Sequence, residues 1–189
     1  YGVDICPASV EEANKYLIKF SIKGKAVIGD ARKLDFPDNY FDKAISSDFF
    51  EHLSAEDNVQ VLKEIKRVVK PGGLIVLKTP NLTYLKFSRI FKMSRRLLQF
   101  KNPFDVVIPH TIGDGHQHIG LLTKTGIVNI IKAAGFLNFK FLYSFNSKIE
   151  RTNFGLAEFL SWNQFLRNIF NEELIAVLRK PIILSLFQD

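Results

Sequence analysis

Short apolar runs alternate with segments of helical period along this chain, and that alternation predicts its elements. Tyr1 to Ile5 reads as a strand with Asp4 near its C-terminal tip. Pro7 suits the start of a helix, where its missing N–H has no partner to lose, and Val10, Ala13, Leu17 and Ile18 follow at helical spacing. Ala26-Val27-Ile28 predicts a strand that ends at Asp30. A polar turn, Phe36-Pro37-Asp38-Asn39-Tyr40-Phe41-Asp42, reverses the chain, and Lys43 to Ser47 predicts the next strand. Ser54, with Glu56 and Asp57 behind it, opens a helix whose apolar face is Val61, Leu62, Ile65, Val68 and Val69. Pro71-Gly72-Gly73 is expected to stop that helix and turn into a buried strand, Leu74 to Leu77. A basic helical stretch covers about 82–101. A loop with His110, His116 and His118 leads to a helix from about Thr123 to Ala134, ended by Gly135. Asn138 to Phe145 alternates as a strand, Phe154 to Phe170 reads as helical, and Glu173 to Leu178 predicts the last strand.

Helices alternating with short apolar strands imply an α/β fold: a mostly parallel, doubly wound sheet with right-handed connections. Ligands of such sheets bind outside the carboxyl ends of the strands. Three predicted strands end at that edge in a carboxylate, namely Asp4, Asp30 and Asp48. No repeat or low-complexity tract interrupts the pattern, so residues 1–189 read as one domain with a basic helical insert.

The wording of these segments resembles the class I S-adenosylmethionine-dependent methyltransferases, in particular the type-11 group that includes the ubiquinone- and menaquinone-type enzymes. Gly29-Asp30-Ala31, the Phe36-Pro37-Asp38-Asn39 turn, Ser46-Ser47 and Glu51-His52-Leu53 carry the resemblance in fixed order. Upstream, Gly2-Val3-Asp4-Ile5 agrees with it. Downstream, Arg67-Val68-Val69-Lys70-Pro71-Gly72-Gly73, His118 ahead of Thr123, and Ala134-Gly135-Phe136 agree as well. The resemblance implies a Rossmann-like fold with an antiparallel final strand. It also implies a first strand and glycine-rich turn that should lie before Tyr1, so the chain is expected to be N-terminally truncated. A missing central strand would leave sheet edges open to pairing.

What the family does at these positions can be set beside the plain reading of each residue. Asp4 would accept hydrogen bonds from both ribose hydroxyls of the cofactor, with Ile5 packed on the adenine face; otherwise they are a solvated strand end and a core isoleucine. Asp30 and the backbone of Ala31 would read the adenine edge, although an aspartate after a strand also forms turns. Ser47 and Asp48 would face the methionine part and the methyl. His118 is the candidate general base and His52 a second one. Asp48, Glu51 and His52 stand at the spacing of a metal set seen in some quinone-pathway relatives, yet Glu51-His52-Leu53 can simply begin a helix, and no metal is expected. The three histidines of the loop lack a cysteine or clear fourth ligand. Cys6 reads as small filler.

Composition narrows the field. With 47% hydrophobic and 24% charged residues the chain can bury a core, and its apolar runs are too short to span a bilayer. A single cysteine excludes an internal disulfide framework and fits a reducing, cytoplasmic setting. The net charge of +7 is concentrated in Leu82 to Lys101, which holds Lys86, Arg89, Lys92, Arg95, Arg96 and Lys101 and no acid. Phe87, Ile90, Phe91, Leu97 and Leu98 share one face of that segment. Three readings compete for it: a surface helix covering the sheet edge, which is the plain one; a helix lying on an anionic membrane; and an RNA clamp. Base-methylating relatives show an Asn/Asp-Pro-Pro-aromatic motif where this chain has Ser46-Ser47-Asp48-Phe49, so nucleic acid is disfavoured.

The resemblance thus implies methyl transfer from S-adenosylmethionine to a small molecule, with a lipid-linked, quinone-like or glycan acceptor. A cofactor-incompetent domain of the same fold is the alternative, and a nucleotide-sugar or NAD enzyme, which Asp4 would also suit, a more distant one.

Overall fold

A computed structural model describes residues 1–106, 120–142 and 171–182. In chain order these residues form β1 (Gly2–Asp4), α1 (Pro7–Lys19), β2 (Ala26–Ile28), β3 (Phe41–Ser47), a single 3-10 turn (Phe50–His52), α2 (Ala55–Val68) and β4 (Val69–Pro80). Then come α3 (Leu82–Leu98), a second 3-10 turn (Pro103–Asp105), α4 (Lys124–Ala133), β5 (Phe139–Leu142) and β6 (Glu173–Arg179). The expected helix at Phe154 to Phe170 lies outside the described residues, as do His110, His116 and His118.

The strands form two ladders. β1 and β2 pair in parallel, with Gly2 opposite Ala26 and Asp4 opposite Ile28. The larger sheet runs β3-β4-β6-β5, parallel between β3 and β4, with β6 antiparallel to both of its neighbours. The final strand is therefore reversed, as the resemblance implies. No pairing among the described residues joins β1 to β3, so a single continuous sheet is not what the described strands make; ring contacts of Tyr1 with Phe36 and Phe41 link the ladders instead.

Register sorts the side chains of the larger sheet. Ala44, Ile75, Leu178 and Phe139 lie opposite one another, and Ser46, Leu77, Ala176 and Phe141 do the same two residues on. Strand side chains alternate between faces, so all eight point to one side. That side is the core: Ile75, Leu77, Ala176 and Leu178 are fully buried there with Val61, Leu62 and Ile65 of α2, Ile127 and Ile131 of α4, and Phe136.

The ends of α2 show why the sequence folds as it does. Ser54 Oγ accepts the N–H of Asp57 at 3.1 Å and caps the first turn. Its C-terminus departs from the sequence expectation, because the helix stops at Val68, ahead of Pro71-Gly72-Gly73. The polar turn stops it from outside: Asn39 and Tyr40 donate their N–H groups to the carbonyls of Arg67 and Val68. Those carbonyls are satisfied without another helical turn, and the chain passes straight into β4. Gly72 then sits at φ +78°, the left-handed region in which a side chain is strained.

Other boundaries also moved. Glu51 and His52 do not begin α2 but belong to the separate 3-10 turn, which Leu53 ends as its C-cap. Cys6 is not buried filler; it is exposed at the N-cap of α1, where the Ser9 N–H pulls its thiol pKa down. The plain reading of the basic segment fails most clearly. α3 forms, capped by Asn81 accepting from the Thr83 N–H, but Leu85 is the one helix residue it buries. Its apolar side chains at Phe87, Ile90, Phe91, Leu97 and Leu98 stand exposed.

Candidate functional site

The strand tips bring most of the expected residues to one edge. Asp4 and Asp30 are neighbours because the β1–β2 ladder continues past its last pair, with the Gly29 N–H donating to the Asp4 carbonyl at 3.0 Å. A Cβ on Gly29 would stand 3.0 Å from Val3 Cγ1, so any side chain there would have to push the valine aside by a few tenths of an ångström. The Asp4 side chain is exposed, and its Oδ1 accepts the Cys6 N–H at 2.7 Å. Ile5 beside it is exposed too, an apolar surface next to a carboxylate.

Asp30 is held differently. Arg32 wraps onto it: its Nε reaches Oδ1 and Oδ2 at 3.1 Å each, Nη2 reaches Oδ2 at 2.8 Å, and its backbone N–H reaches Oδ1 at 2.8 Å. The other end of the fork touches Asp57 at 3.3 Å. These bonds, the side-chain ones foremost, hold the Asp30 carboxyl below the usual aspartate range and push Arg32 upward. Ala31 is half-buried against the core. An adenine amine meeting Asp30 would thus share a carboxylate already oriented by Arg32, a residue that sequence reasoning missed.

At the tip of β3, Ser47 Oγ donates to Asp48 Oδ2 at 2.9 Å, and Lys78 Nζ donates to the same oxygen at 3.0 Å. Lys78 also pairs with Glu173 at 2.9 Å. Glu173 first and Asp48 second raise the lysine above its ordinary range. Three adjacent strands therefore present one charged cluster, since Ser47 lies opposite Lys78 in register and Lys78 opposite Ile175, near Glu173. Asp48 itself has φ 52°, a strained conformation for a non-glycine residue, of the kind that collects at functional sites. Lys78 and Glu173 were not singled out from sequence. The signal available was a lysine closing an otherwise apolar strand.

Glu51 and His52, adjacent in sequence, part company. Glu51 is fully buried, accepting the Thr79 hydroxyl at 3.0 Å, whereas His52 is exposed on the 3-10 turn. They do not share a ligand set with Asp48, and among the described residues no group of three His, Cys, Asp or Glu side chains is placed to hold a metal. His118 lies outside the described residues. The chain two residues after it is anchored on this turn, with the Gly120 N–H donating to the Glu51 carbonyl at 2.8 Å. A Cβ on Gly120 would run into the Leu53 carbonyl, so glycine is required there.

One further device shapes the edge. Arg67 donates to the carbonyls of Leu34 and Phe36 at 2.8 Å each, to Asp38 at 2.7 Å and to Glu64 at 2.9 Å. Glu64 in turn accepts the Leu34 N–H at 3.0 Å. The loop that follows Asp30 is thereby clamped to α2. Arg67 is the hydrogen-bonding reason that the Pro37-Asp38-Asn39 turn and the Arg67-Val68-Val69 segment belong together.

With this geometry in hand, the chain can be set beside known proteins. Residues 1–77 match the model of the methyltransferase domain. That part of the chain is similar to the type-11 group of class I methyltransferases. A demethylmenaquinone methyltransferase of Geobacillus is 40% identical over 93 residues, which is 48% of this chain and 39% of that protein. A 2-methyl-6-phytyl-1,4-hydroquinone methyltransferase of Synechocystis is 37% identical over 80 residues, 42% of this chain and 24% of that protein. The chain thus spans well under half the length of these relatives. A solved S-adenosylmethionine-dependent methyltransferase of Methanosarcina mazei shares the fold with a TM-score of 0.60 at 15% identity, covering 96% of this chain and 81% of that one. S-adenosylmethionine is the cofactor this methyltransferase family implies. The donor set suits it: an exposed carboxylate at one strand tip, an apolar neighbour, and a second carboxylate one strand over.

Proposed function

We propose that this methyltransferase domain delivers a methyl group from S-adenosylmethionine to a small-molecule acceptor, a quinone-like or lipid-linked ring in first place and a glycan next. The observation that carries the reading is the side-by-side placement of Asp4 and Asp30 at the carboxyl edge, joined through Gly29. Asp4 would hold the ribose hydroxyls and Ile5 the adenine face. Asp30 and the Ala31 N–H would take the adenine edge. The backbone at Ser47 would hold the methionine part, with Asp48, fixed by Ser47 and Lys78, facing the acceptor.

When bound, the cofactor supplies a methyl on a positively charged sulfur, so the leaving group is already activated. The residues therefore contribute chiefly orientation. An acceptor that loses a proton on methylation needs a base, and His52 on the exposed turn or His118, two residues before Gly120 in the chain, fills that role. The preference for a quinone-like ring is supported by the names of the two relatives above, which are a menaquinone-type and a hydroquinone methyltransferase. The RNA reading has no comparable support.

The test is transfer of isotopically labelled methyl from S-adenosylmethionine, using this chain and any longer product of its gene. Prenylated hydroquinones, a glycan acceptor and RNA serve as substrates. Label in the hydroquinone alone is the expected result. Label in RNA would overturn the acceptor assignment, and no transfer to any acceptor would overturn the activity itself.

A further inference from the structure

We infer that α3 is a docking surface for an anionic lipid bilayer. At about 100° per residue, Ile90, Phe91, Leu97 and Leu98 fall within an arc of roughly 120° on the helix, centred opposite Leu85. Leu85 is 8% exposed, whereas Ile90, Phe91, Leu97 and Leu98 are 65, 62, 64 and 82% exposed. The helix therefore uses its Leu85 side to hold on to the domain and turns its larger apolar side outward. Just beyond its end, Phe100 and Phe104 are also exposed, which extends the apolar surface. Contiguous exposed apolar surface of this kind marks an interaction site.

Charge selects the partner. Lys86 borders the apolar arc on one side and Arg95 on the other. Between Leu82 and Val106 there are six basic residues and one acid, Asp105, which pairs with Arg96 at 2.7 Å. Arg89 is turned to the Val106 carbonyl. The charge of Lys86, Lys92, Arg95 and Lys101 is left uncompensated within the segment. A second copy of the chain would bring the same cations against these, so self-association through α3 is opposed by repulsion. A bilayer with anionic headgroups answers both features at once: the apolar arc enters the headgroup boundary and the flanking cations meet the lipid phosphates. The same helix would hold the domain where an acceptor with a lipid tail resides, but the surface stands independently of which acceptor is methylated.

The test is co-sedimentation of the chain with phosphatidylcholine vesicles, with and without phosphatidylglycerol, at low and high salt. Sedimentation velocity of the protein alone runs alongside. The expected result is binding that needs the anionic lipid, weakens at high salt, and falls by about ten-fold or more in the Lys86→Glu/Arg95→Glu variant. An Ile90→Ser/Phe91→Ser variant, altered at exposed positions and checked for an unchanged thermal midpoint, is expected to lose binding as well. Equal binding to neutral vesicles, no binding at all, or a dimer that the same substitutions dissociate would each overturn the proposal.

Discussion

Asp30 and Asp4 end neighbouring strands, yet different partners hold their carboxylates: Arg32 for Asp30 and the Cys6 N–H for Asp4. The Arg32 fork keeps the Asp30 carboxyl ionised below the usual aspartate range. For a carboxyl lowered in this way, the stabilisation from the pair is present at every pH above the ordinary aspartate range. It is lost only as pH falls through the lowered value. Arg32→Ala returns Asp30 toward the ordinary range, so the acid limb of S-adenosylhomocysteine binding should move to higher pH than in the wild type, as titrations through the acidic range, at and below the ordinary aspartate value, would read. An acid limb unmoved by the substitution would show that Asp30 does not face the ligand. The sequence made Asp4, Asp30 and Ser47 visible because each follows a short apolar run. Arg32, Lys78 and Glu173 were not visible, since what joins them to the site is side-chain reach and strand register, neither of which a linear pattern displays.

At the scale of elements, the sequence marks were good where a local rule fixes the backbone. Ser54 opens α2 and Gly135, at φ +77°, ends α4 as read, and α4 starts beside Thr123, whose side-chain oxygen caps it. Marks failed where a distant segment decides. The stop of α2 at Val68 is imposed by the N–H groups of Asn39 and Tyr40, and the helix-breaking look of Pro71-Gly72-Gly73 pointed three residues too late. Arg67 carries the consequence. Its half-buried guanidinium gathers the loop from Leu34 to Asp38 onto α2, and Glu64 beside it has its carboxyl lowered by that same guanidinium. Arg67→Ala strands the Leu34 and Phe36 carbonyls and should cost about 1–3 kcal/mol in urea unfolding. Because the loop follows Asp30, the variant should also weaken cofactor binding, whereas Lys63→Ala on the exposed side of α2 should change neither.

For the whole molecule, the alternation of strands and helices was enough for the α/β class and the parallel β3–β4 pair, while the reversed final strand followed from the family resemblance. It was not enough for the division into two ladders, because pairing between strands depends on contacts far apart in sequence. Nor did the pattern tell which way α3 faces. An amphipathic stripe at helical spacing reads the same whether it covers a sheet edge or meets a bilayer; only the burial of Leu85, with the rest of the apolar arc outside, separates the two. The domain so built has its charged strand tips on one edge and a basic, apolar helix leaving the C-terminal end of β4, which is the same edge. The proposed cofactor site and the proposed lipid-facing helix would thus lie next to each other through the order of elements alone.

The central claim is that the edge formed by Asp4, Asp30 and Ser47 binds S-adenosylmethionine and its product. Calorimetric titration of S-adenosylhomocysteine into this chain, into any longer product of its gene, and into Asp4→Ala forms of both tests it most directly. The account predicts saturable binding that Asp4→Ala weakens by about ten-fold or more, the loss of a charge-assisted pair of hydrogen bonds, with the thermal midpoint of the free protein unchanged. Absence of binding in every form, or affinity indifferent to Asp4, would contradict it.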